Sequence, residues 1–276
     1  MSATKAHRAN KTGWSTMLHV YIAAFFVFMY GPILLLFALS FNDSQLIGLP
    51  FKGFTTRWYG EVANDATLIE AVINSVSIGI VSSLIAVALA LSLALAFKRD
   101  LPFKGLLFNF ILLPIIIPGL VSGIVMLIGA GYAGVRYGLW TTTLVTHVTW
   151  VLPFAFLTLY PRVTRLDPAL EEAAMDLGAP PRIVFRRVTL PLIQPSIVAT
   201  ALFAFTLSFD EFIRTLFVIG NVRTVPVYLW TLVIEQAAPF LPAVGVTMMA
   251  VSIAVALLGF VFSARTAPAE DGRGAS

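Results

Sequence analysis

The chain has 276 residues, of which 58% are hydrophobic and only 12% are charged, and its mean hydropathy is +0.89. Soluble domains are about one quarter charged, so this composition predicts a protein that is solvated mainly by lipid. The sequence contains no cysteine, which excludes disulfides, thiol catalysis and cysteine metal sites. The net charge of +4 does not indicate nucleic-acid binding, because most basic residues flank apolar segments.

The sequence also lacks the residues that two common kinds of site require. It has no Gly-x-x-x-x-Gly-Lys-Ser/Thr loop for ATP phosphates, so any ATP that drives the protein binds to another chain. Its three histidines are too scattered to form a metal cluster. We therefore predict no catalytic residue, no metal site and no cofactor in this chain.

Six apolar segments are each long enough to cross a bilayer core of about 30 Å. A polar segment, 1–16, precedes them, and the first apolar run is too long for a cleaved signal peptide, so we interpret it as a retained helix. We predict an all-α integral membrane protein with one six-helix domain over 17–262 and a polar tail over 263–276. The predicted spans are about 17–39, 71–97, 106–128, 139–160, 196–219 and 241–262.

A polar insert over about 161–195 separates the fourth span from the fifth. Asp167 is placed to cap a short helix that starts at Pro168, and Gly178 is a natural left-handed terminator for it. A second short helix is expected over 182–188, ending where Pro191 resets the backbone. A helix this short is not stable alone, so its small apolar face needs a partner surface.

The distribution of basic residues predicts the orientation in the membrane. Thirteen of the eighteen Lys and Arg lie in the N-terminal segment, the turn at Lys98, the 161–195 insert and the tail. The positive-inside rule places all four of these segments in the cytoplasm, together with both termini.

Charged residues within the predicted spans are concentrated in the fifth, at Asp210, Glu211 and Arg214. Asp210 lies about 20 Å along that helix from Ser196, in the outer half of the membrane. A carboxylate at this depth either faces a cavity, where it attracts an organic cation beside Phe209 and Phe212, or belongs to a structural Asp210–Arg214 pair at i,i+4. Both interpretations remain open.

The fourth span carries a second polar patch. His147 and Trp150 lie there with Thr146 and Thr149, and hydrogen bonding across helices is the favoured role. Contact of Trp150 with a substrate is the alternative.

The 161–195 insert resembles the EAA loop of bacterial ABC importer permeases. That signature is Glu-Ala-Ala, three residues, Gly, nine residues, an aliphatic residue, any residue and Leu-Pro; Val188 takes the aliphatic place here. The resemblance implies a coupling helix that docks on a cytoplasmic ATPase subunit, whereas an ordinary amphipathic surface loop is the alternative. The residues assigned to ATPase coupling are Glu171, Glu172, Ala173, Ala174, Asp176, Leu177, Gly178, Leu190 and Pro191.

A wider resemblance covers about 21–262. The segments 54–59, 208–212 and 225–228 are similar to those of spermidine/putrescine permeases, especially their C-type subunit. This resemblance implies transport of a polyamine or a related small amine, although Arg214 stands where that family often has an uncharged residue. Related permeases carry opines, anions or ferric ion. The residues assigned to a substrate pathway are Asp210, Glu211, Phe209, Phe212 and Trp150.

The resemblance also implies a set of partners in the bacterial cytoplasmic membrane. They are a homologous permease subunit, two ATPase subunits that bind ATP and Mg, and an extracytoplasmic substrate-binding protein. An ion-coupled secondary transporter is an alternative of a different class, but a single acidic cluster gives it little support. A membrane-embedded enzyme has still less, because no set of nucleophile, base and metal is visible.

Overall fold

The computed structural model describes residues 3–236 and 238–266, which form helices joined by short loops. The predicted all-α class is confirmed for these residues. The α-helices are α1 (Ala3–Leu39), α2 (Arg57–Asn64), α3 (Ala66–Ala96), α4 (Lys104–Ile116), α5 (Gly119–Tyr132), α6 (Leu144–Thr164), α7 (Pro168–Asp176), α8 (Pro181–Val184), α9 (Leu190–Phe209), α10 (Ile213–Val218), α11 (Val225–Thr231) and α12 (Leu241–Thr266), with π-helical turns at Leu139–Thr143, Phe185–Thr189 and Leu232–Gln236.

The chain divides into two compact units, and the first comprises the residues up to Asp65 together with Leu232–Ser252. Its loop after α1 is folded around Asn42. The Asn42 side chain accepts a hydrogen bond from the Lys52 amide at 2.8 Å, and the backbone carbonyl of Asn42 accepts one from the Trp58 indole at 2.8 Å. These bonds hold the loop against α2, where Trp58 is buried.

The second unit comprises Ala66–Thr231 and the residues from Ile253 onward, and it is built around α3, α6 and α9, which pack against one another. Small side chains on α3 let the other two helices approach closely. The buried core consists of Ala86, Val87, Ala90, Ala94, Phe97, Val151, Ala155, Phe156, Leu159, Val163, Ile193 and Ala204.

At Gly79 the ring of Phe205 on α9 packs directly against α3. A Cβ atom on Gly79 would lie 2.8 Å from the ring of Phe205, which is nearer than carbon atoms pack. One turn further along α3, the Ser82 and Ser208 hydroxyls are 2.8 Å apart, so a hydrogen bond joins the helices beside this contact. Glycine at position 79 therefore leaves the room that the Phe205 ring occupies between the two helices.

Four helices in the described part of the chain are long and apolar enough to cross a membrane, and they match the first, second, fourth and fifth predicted spans. The third predicted span, about 106–128, is broken in the structure. Helices α4 and α5 form a bent pair with an angle of 101°, since Pro118 follows α4 and cannot donate the amide that would continue it. The four membrane-spanning helices named above are Thr16–Leu39, Ala66–Ala96, Leu139–Thr164 and Pro181–Phe209.

The fifth predicted span differs from the structure at both of its ends. Helical structure runs from Pro181 to Phe209 without the expected stop at Pro191, because a π-helical turn precedes this residue and Pro191 lies in the first turn of α9. At the other end α9 stops at Phe209, and α10 begins only at Ile213. The described apolar part of α12, Leu241–Ala254, is shorter than a full span, so six crossings remain a prediction.

We predict that Gly79→Val destabilises the packing of α3 on α9, because its side chain must displace Phe205. Gly105→Val in α4 is the matched control, since no atom lies within 4 Å of a Cβ atom there. Overpacking costs about 1–3 kcal/mol, so the thermal midpoint of Gly79→Val in detergent should fall below that of Gly105→Val. Equal midpoints would show that the two helices are not held at this spacing.

Candidate functional site

The break between α9 and α10 contains the acidic pair. Because α9 ends at Phe209, Asp210 and Arg214 do not lie on one continuous helix, and the Asp210–Arg214 pair, one of the two interpretations left open, does not form. Arg214 pairs instead with Glu211, three residues before it. The i,i+4 spacing assumed a regular helix, whereas the backbone leaves the helical path where the charges are.

Glu211 and Arg214 form an ion pair that is joined by two hydrogen bonds. Arg214 Nη1 lies 2.8 Å from Glu211 Oε2, and the Arg214 amide donates to Glu211 Oε1 at 2.9 Å. Only 8% of Glu211 and 7% of Arg214 is exposed, so water contributes little to their solvation. The second bond also caps the start of α10, since it satisfies an amide that has no partner within that helix.

The guanidinium of Arg214 also lies over the indole ring of Trp150. Its Cζ atom is 3.7 Å from the centroid of the ring, a cation–π distance. On another side, a Cβ atom on Gly119 would lie 3.2 Å from Arg214 Nη1, and one on Gly123 would lie 3.2 Å from Arg214 Cα. Glycines at the start of α5 therefore leave the room that Arg214 occupies.

Asp210 has a different environment from Glu211. It is exposed, and its side chain forms no hydrogen bond or ion pair within the described residues. The flanking residues Phe209 and Phe212 are half-buried, and the ring of Phe212 lies 5.4 Å from that of Trp230. Of the two carboxylates, the open one is thus Asp210, for which the sequence left both a cation contact and a structural pair possible.

His147 links α6 to both sides of the break. Its Nδ1 atom lies 2.6 Å from the Ser208 hydroxyl, and its Nε2 atom lies 2.8 Å from the Thr215 hydroxyl. The predicted hydrogen bonding across helices is confirmed for His147, whereas Thr146 and Thr149 bond carbonyls one turn earlier in their own helical segment. Ser208 also contacts Ser82, so a chain of polar groups connects α3, α9, α6 and α10.

The helix predicted in the polar insert is confirmed as α7. The Asp167 side chain accepts a hydrogen bond from the Ala169 amide, Pro168 opens the helix, and Gly178 has a φ of +84°. Its apolar face is uncovered in this chain, since Leu170 is 48% and Leu177 91% exposed. Helix α9 measures about 30 Å over its 20 residues, so α7 and Asp210 lie near opposite ends of it.

Glu171 anchors α7 to two other elements of the second unit. Its carboxylate accepts a hydrogen bond from Lys98 Nζ at 2.5 Å and one from the Thr189 hydroxyl at 2.8 Å. Burial raises the pKa of Glu171, but the bonds from Lys98 and Thr189 and the charge of Lys98 outweigh it and lower the pKa overall. Sequence reasoning did not predict this contact. The basic turn at Lys98, assigned to the same side of the membrane as Glu171, was the feature that could have indicated it.

We predict that the contacts of Glu171 that hold α7 in place weaken at acidic pH. Because the pKa of Glu171 is lowered on folding, its contribution is complete above the ordinary value of 4.5 and is lost as the pH falls through the lower folded value. Hydrogen exchange should show α7 protection falling below about pH 4.5 in the wild type. Glu171→Gln should lower the protection at neutral pH and remove most of this pH dependence.

Glu172→Gln is the matched control for that experiment, because Glu172 is the exposed neighbour on the same helix. It should retain the pH dependence of the wild type. An identical pH response in Glu171→Gln and the wild type would contradict the anchoring role of Glu171.

We predict that Glu211→Gln lowers the yield of folded protein far more than Asp210→Asn. Leaving Arg214 buried without its partner costs about 3–5 kcal/mol, whereas Asp210 has no such partner to lose. The double change Glu211→Gln with Arg214→Gln should recover much of the yield. Monodisperse protein in detergent extracts measures this effect, and a larger loss in Asp210→Asn would refute the pairing.

The match to a known family covers residues 86–267, and that family is described as the binding-protein-dependent transport system inner membrane component. The chain is 30% identical to the spermidine/putrescine transport system permease protein PotC of Escherichia coli (strain K12), with 86% of this chain and 90% of that protein covered. It is 34% identical to the putrescine transport system permease protein PotI of the same strain, with coverage of 86% and 85%.

Solved structures are similar in fold at lower sequence identity. A chain from a bacterial ABC transporter involved in the import of the acidic polysaccharide alginate has a TM-score of 0.74 at 17% identity, with 95% of this chain and 99% of that chain covered. A chain from an inward-facing MetNI methionine ABC transporter has a TM-score of 0.59 at 15% identity, with coverage of 73% and 97%. Because the family match spans more than half of the sequence, the chain belongs to the family of binding-protein-dependent transport system inner membrane components.

Proposed function

We propose that this chain is a permease subunit of an ATP-driven importer for a polyamine or a related small organic amine. The names of two relatives support this substrate class. The relative at 30% identity is named as a spermidine/putrescine permease, and the one at 34% identity is named as a putrescine permease. The structural observation that carries the proposal is the exposed carboxylate of Asp210 at the break after α9, which has no partner among the described residues. A cationic substrate needs such a group.

Asp210 has the properties of a contact for a cation. An ionisable group deep in a span is costly and usually faces a cavity or a partner. Phe209 and Phe212 flank it, and Trp230 lies beside Phe212, so aromatic faces are available next to the negative charge. Glu211 and Trp150 belong to the same pathway in this proposal, but Arg214 holds both of them in this conformation.

The proposed assembly contains a homologous permease subunit, two ATPase subunits that bind ATP and Mg, and an extracytoplasmic substrate-binding protein. The chain crosses the inner membrane six times, with a membrane domain over 17–262 and both termini in the cytoplasm. Thirteen of the eighteen basic residues lie on the proposed cytoplasmic side, which supports this orientation.

Helix α7 is the proposed contact with the ATPase. Its exposed Leu170 and Leu177 form an apolar surface on a helix too short to be stable alone, which supports docking against another protein. When the ATPases close on ATP, α7 moves, and the bonds of Glu171 to Lys98 and Thr189 pass this movement to the ends of α3 and α9. The permease pair then exchanges inward-open and outward-open states by rigid-body rotation.

We predict that Asp210→Asn lowers uptake of a labelled polyamine by about tenfold or more, equivalent to about 1.4 kcal/mol. The physical reason is the loss of the open negative charge, and the assembled complex should form at the wild-type yield. Uptake into proteoliposomes containing the complete complex measures the effect. Glu61→Gln removes an exposed carboxylate from α2 and is the control. Wild-type uptake by Asp210→Asn would contradict a cationic substrate at this site.

We predict that Gly178→Val weakens ATPase docking while leaving membrane abundance unchanged. Gly178 has a left-handed φ of +84° and no atom within 4 Å of a Cβ position, so the variant suffers backbone strain alone, about 1–2 kcal/mol. Recovery of the ATPase with tagged permease should fall accordingly. Gly178→Asn is the matched control, because asparagine tolerates this conformation and should retain the ATPase. Full recovery with Gly178→Val would reject the coupling role.

A further inference from the structure

We propose that Glu211 and Trp150 form a binding site for an organic cation, which Arg214 occupies as a tethered occupant in this conformation. The inference rests on the proposed function and deepens it, because the substrate amine and Arg214 then compete for one site. Arg214 thereby sets how readily the amine is accepted.

The walls around the guanidinium are those that recognise organic cations. One wall is a carboxylate oxygen, Glu211 Oε2, at 2.8 Å, and the other is the face of Trp150 at 3.7 Å. Carboxylates bind ammonium and guanidinium groups through charge-assisted hydrogen bonds, and tryptophan is the best aromatic partner for a cation. The same two groups would receive a substrate ammonium in place of the side chain.

The site keeps its shape when the guanidinium leaves. Glu211 Oε1 is held by the backbone amide of Arg214, and this bond does not depend on where the Arg214 side chain points. The Glu211 carbonyl accepts a hydrogen bond from the Thr215 hydroxyl at 2.8 Å, which fixes the backbone of the same residue. Glu211 Oε2 is therefore preorganised for a second cation.

Among the described residues, Glu211 is the carboxylate that pairs with the guanidinium, and small residues pack against it on the other side. Gly119 and Gly123 of the bent pair lie against Arg214. On α6 the nearby titratable group is His147, whose two ring nitrogens bond Ser208 and Thr215. Asp210 is adjacent in the chain and exposed, so a second carboxylate lies next to the proposed site. A purely apolar helix contact would need none of these polar groups.

The competition has a measurable consequence. When a site is available only in a minor conformation, the apparent affinity of its ligand is the intrinsic affinity multiplied by the populated fraction of that conformation. If Arg214 leaves its place less than about one tenth of the time, its removal strengthens cation binding about tenfold or more.

The experiment uses the assembled complex and methylguanidinium as the probe, with neutral methylurea for comparison. Arg214→Ala should bind methylguanidinium at least about tenfold more tightly than the wild type, detected by tryptophan fluorescence, and should not bind methylurea. Arg214→Ala with Glu211→Gln should lose this binding. Arg99→Ala removes an exposed arginine elsewhere and should match the wild type. Equal affinity in the wild type and Arg214→Ala, or retained affinity in the double variant, would overturn the proposal.

A variant that assembles poorly still gives an answer. Methylguanidinium present during solubilisation should then raise the yield of Arg214→Ala, and a yield that does not respond would also overturn the proposal. Uptake of labelled polyamine by the wild-type complex is measured in parallel. Probe binding without polyamine uptake rejects the substrate class and keeps the cation site, whereas uptake without probe binding rejects the site and keeps the substrate class.

Discussion

The buried pair of Glu211 and Arg214 constrains most of the structure around it. Two charges removed from water are stable only if each finds several partners, and both do so at the break between α9 and α10. The carboxylate accepts hydrogen bonds from the guanidinium and from the backbone amide of Arg214, and the guanidinium also makes a cation–π contact with the face of Trp150. The glycines of α5 are needed because a larger residue would enter the space of Arg214.

The break itself requires polar side chains from neighbouring helices. Backbone groups released from a helix inside a membrane must find partners within the protein. At the break, the Thr215 hydroxyl donates a hydrogen bond to the carbonyl of Glu211. At the other end of α10, the Thr142 hydroxyl donates to the carbonyl of Val218 at 2.5 Å. His147 closes the arrangement by bonding on both sides of the break. His147 of α6 is thus explained by the hydroxyl groups on the two sides of the break.

The sequence was sufficient for features that depend on neighbouring residues. Asp167, Pro168 and Gly178 define α7 through local capping and turn preferences, and four apolar helices follow from hydropathy alone. The partner of Arg214 was not predictable in this way, because helical spacing applies only while the helix continues. The contact of Lys98 with Glu171 joins residues 73 positions apart, so only the tertiary fold brings them together.

The two polar centres of the second unit are joined by α9. At one end Thr189 bonds Glu171 of the proposed coupling helix, and at the other Ser208 bonds His147 beside the ion pair. Small and apolar residues pack α9 along α3 and α6, and a densely packed helix transmits displacement along its length. A shift of α7 would therefore displace Ser208 relative to the groups around Arg214. Because a buried ion pair tolerates little change in geometry, the break is the place where such a shift has its largest energetic effect.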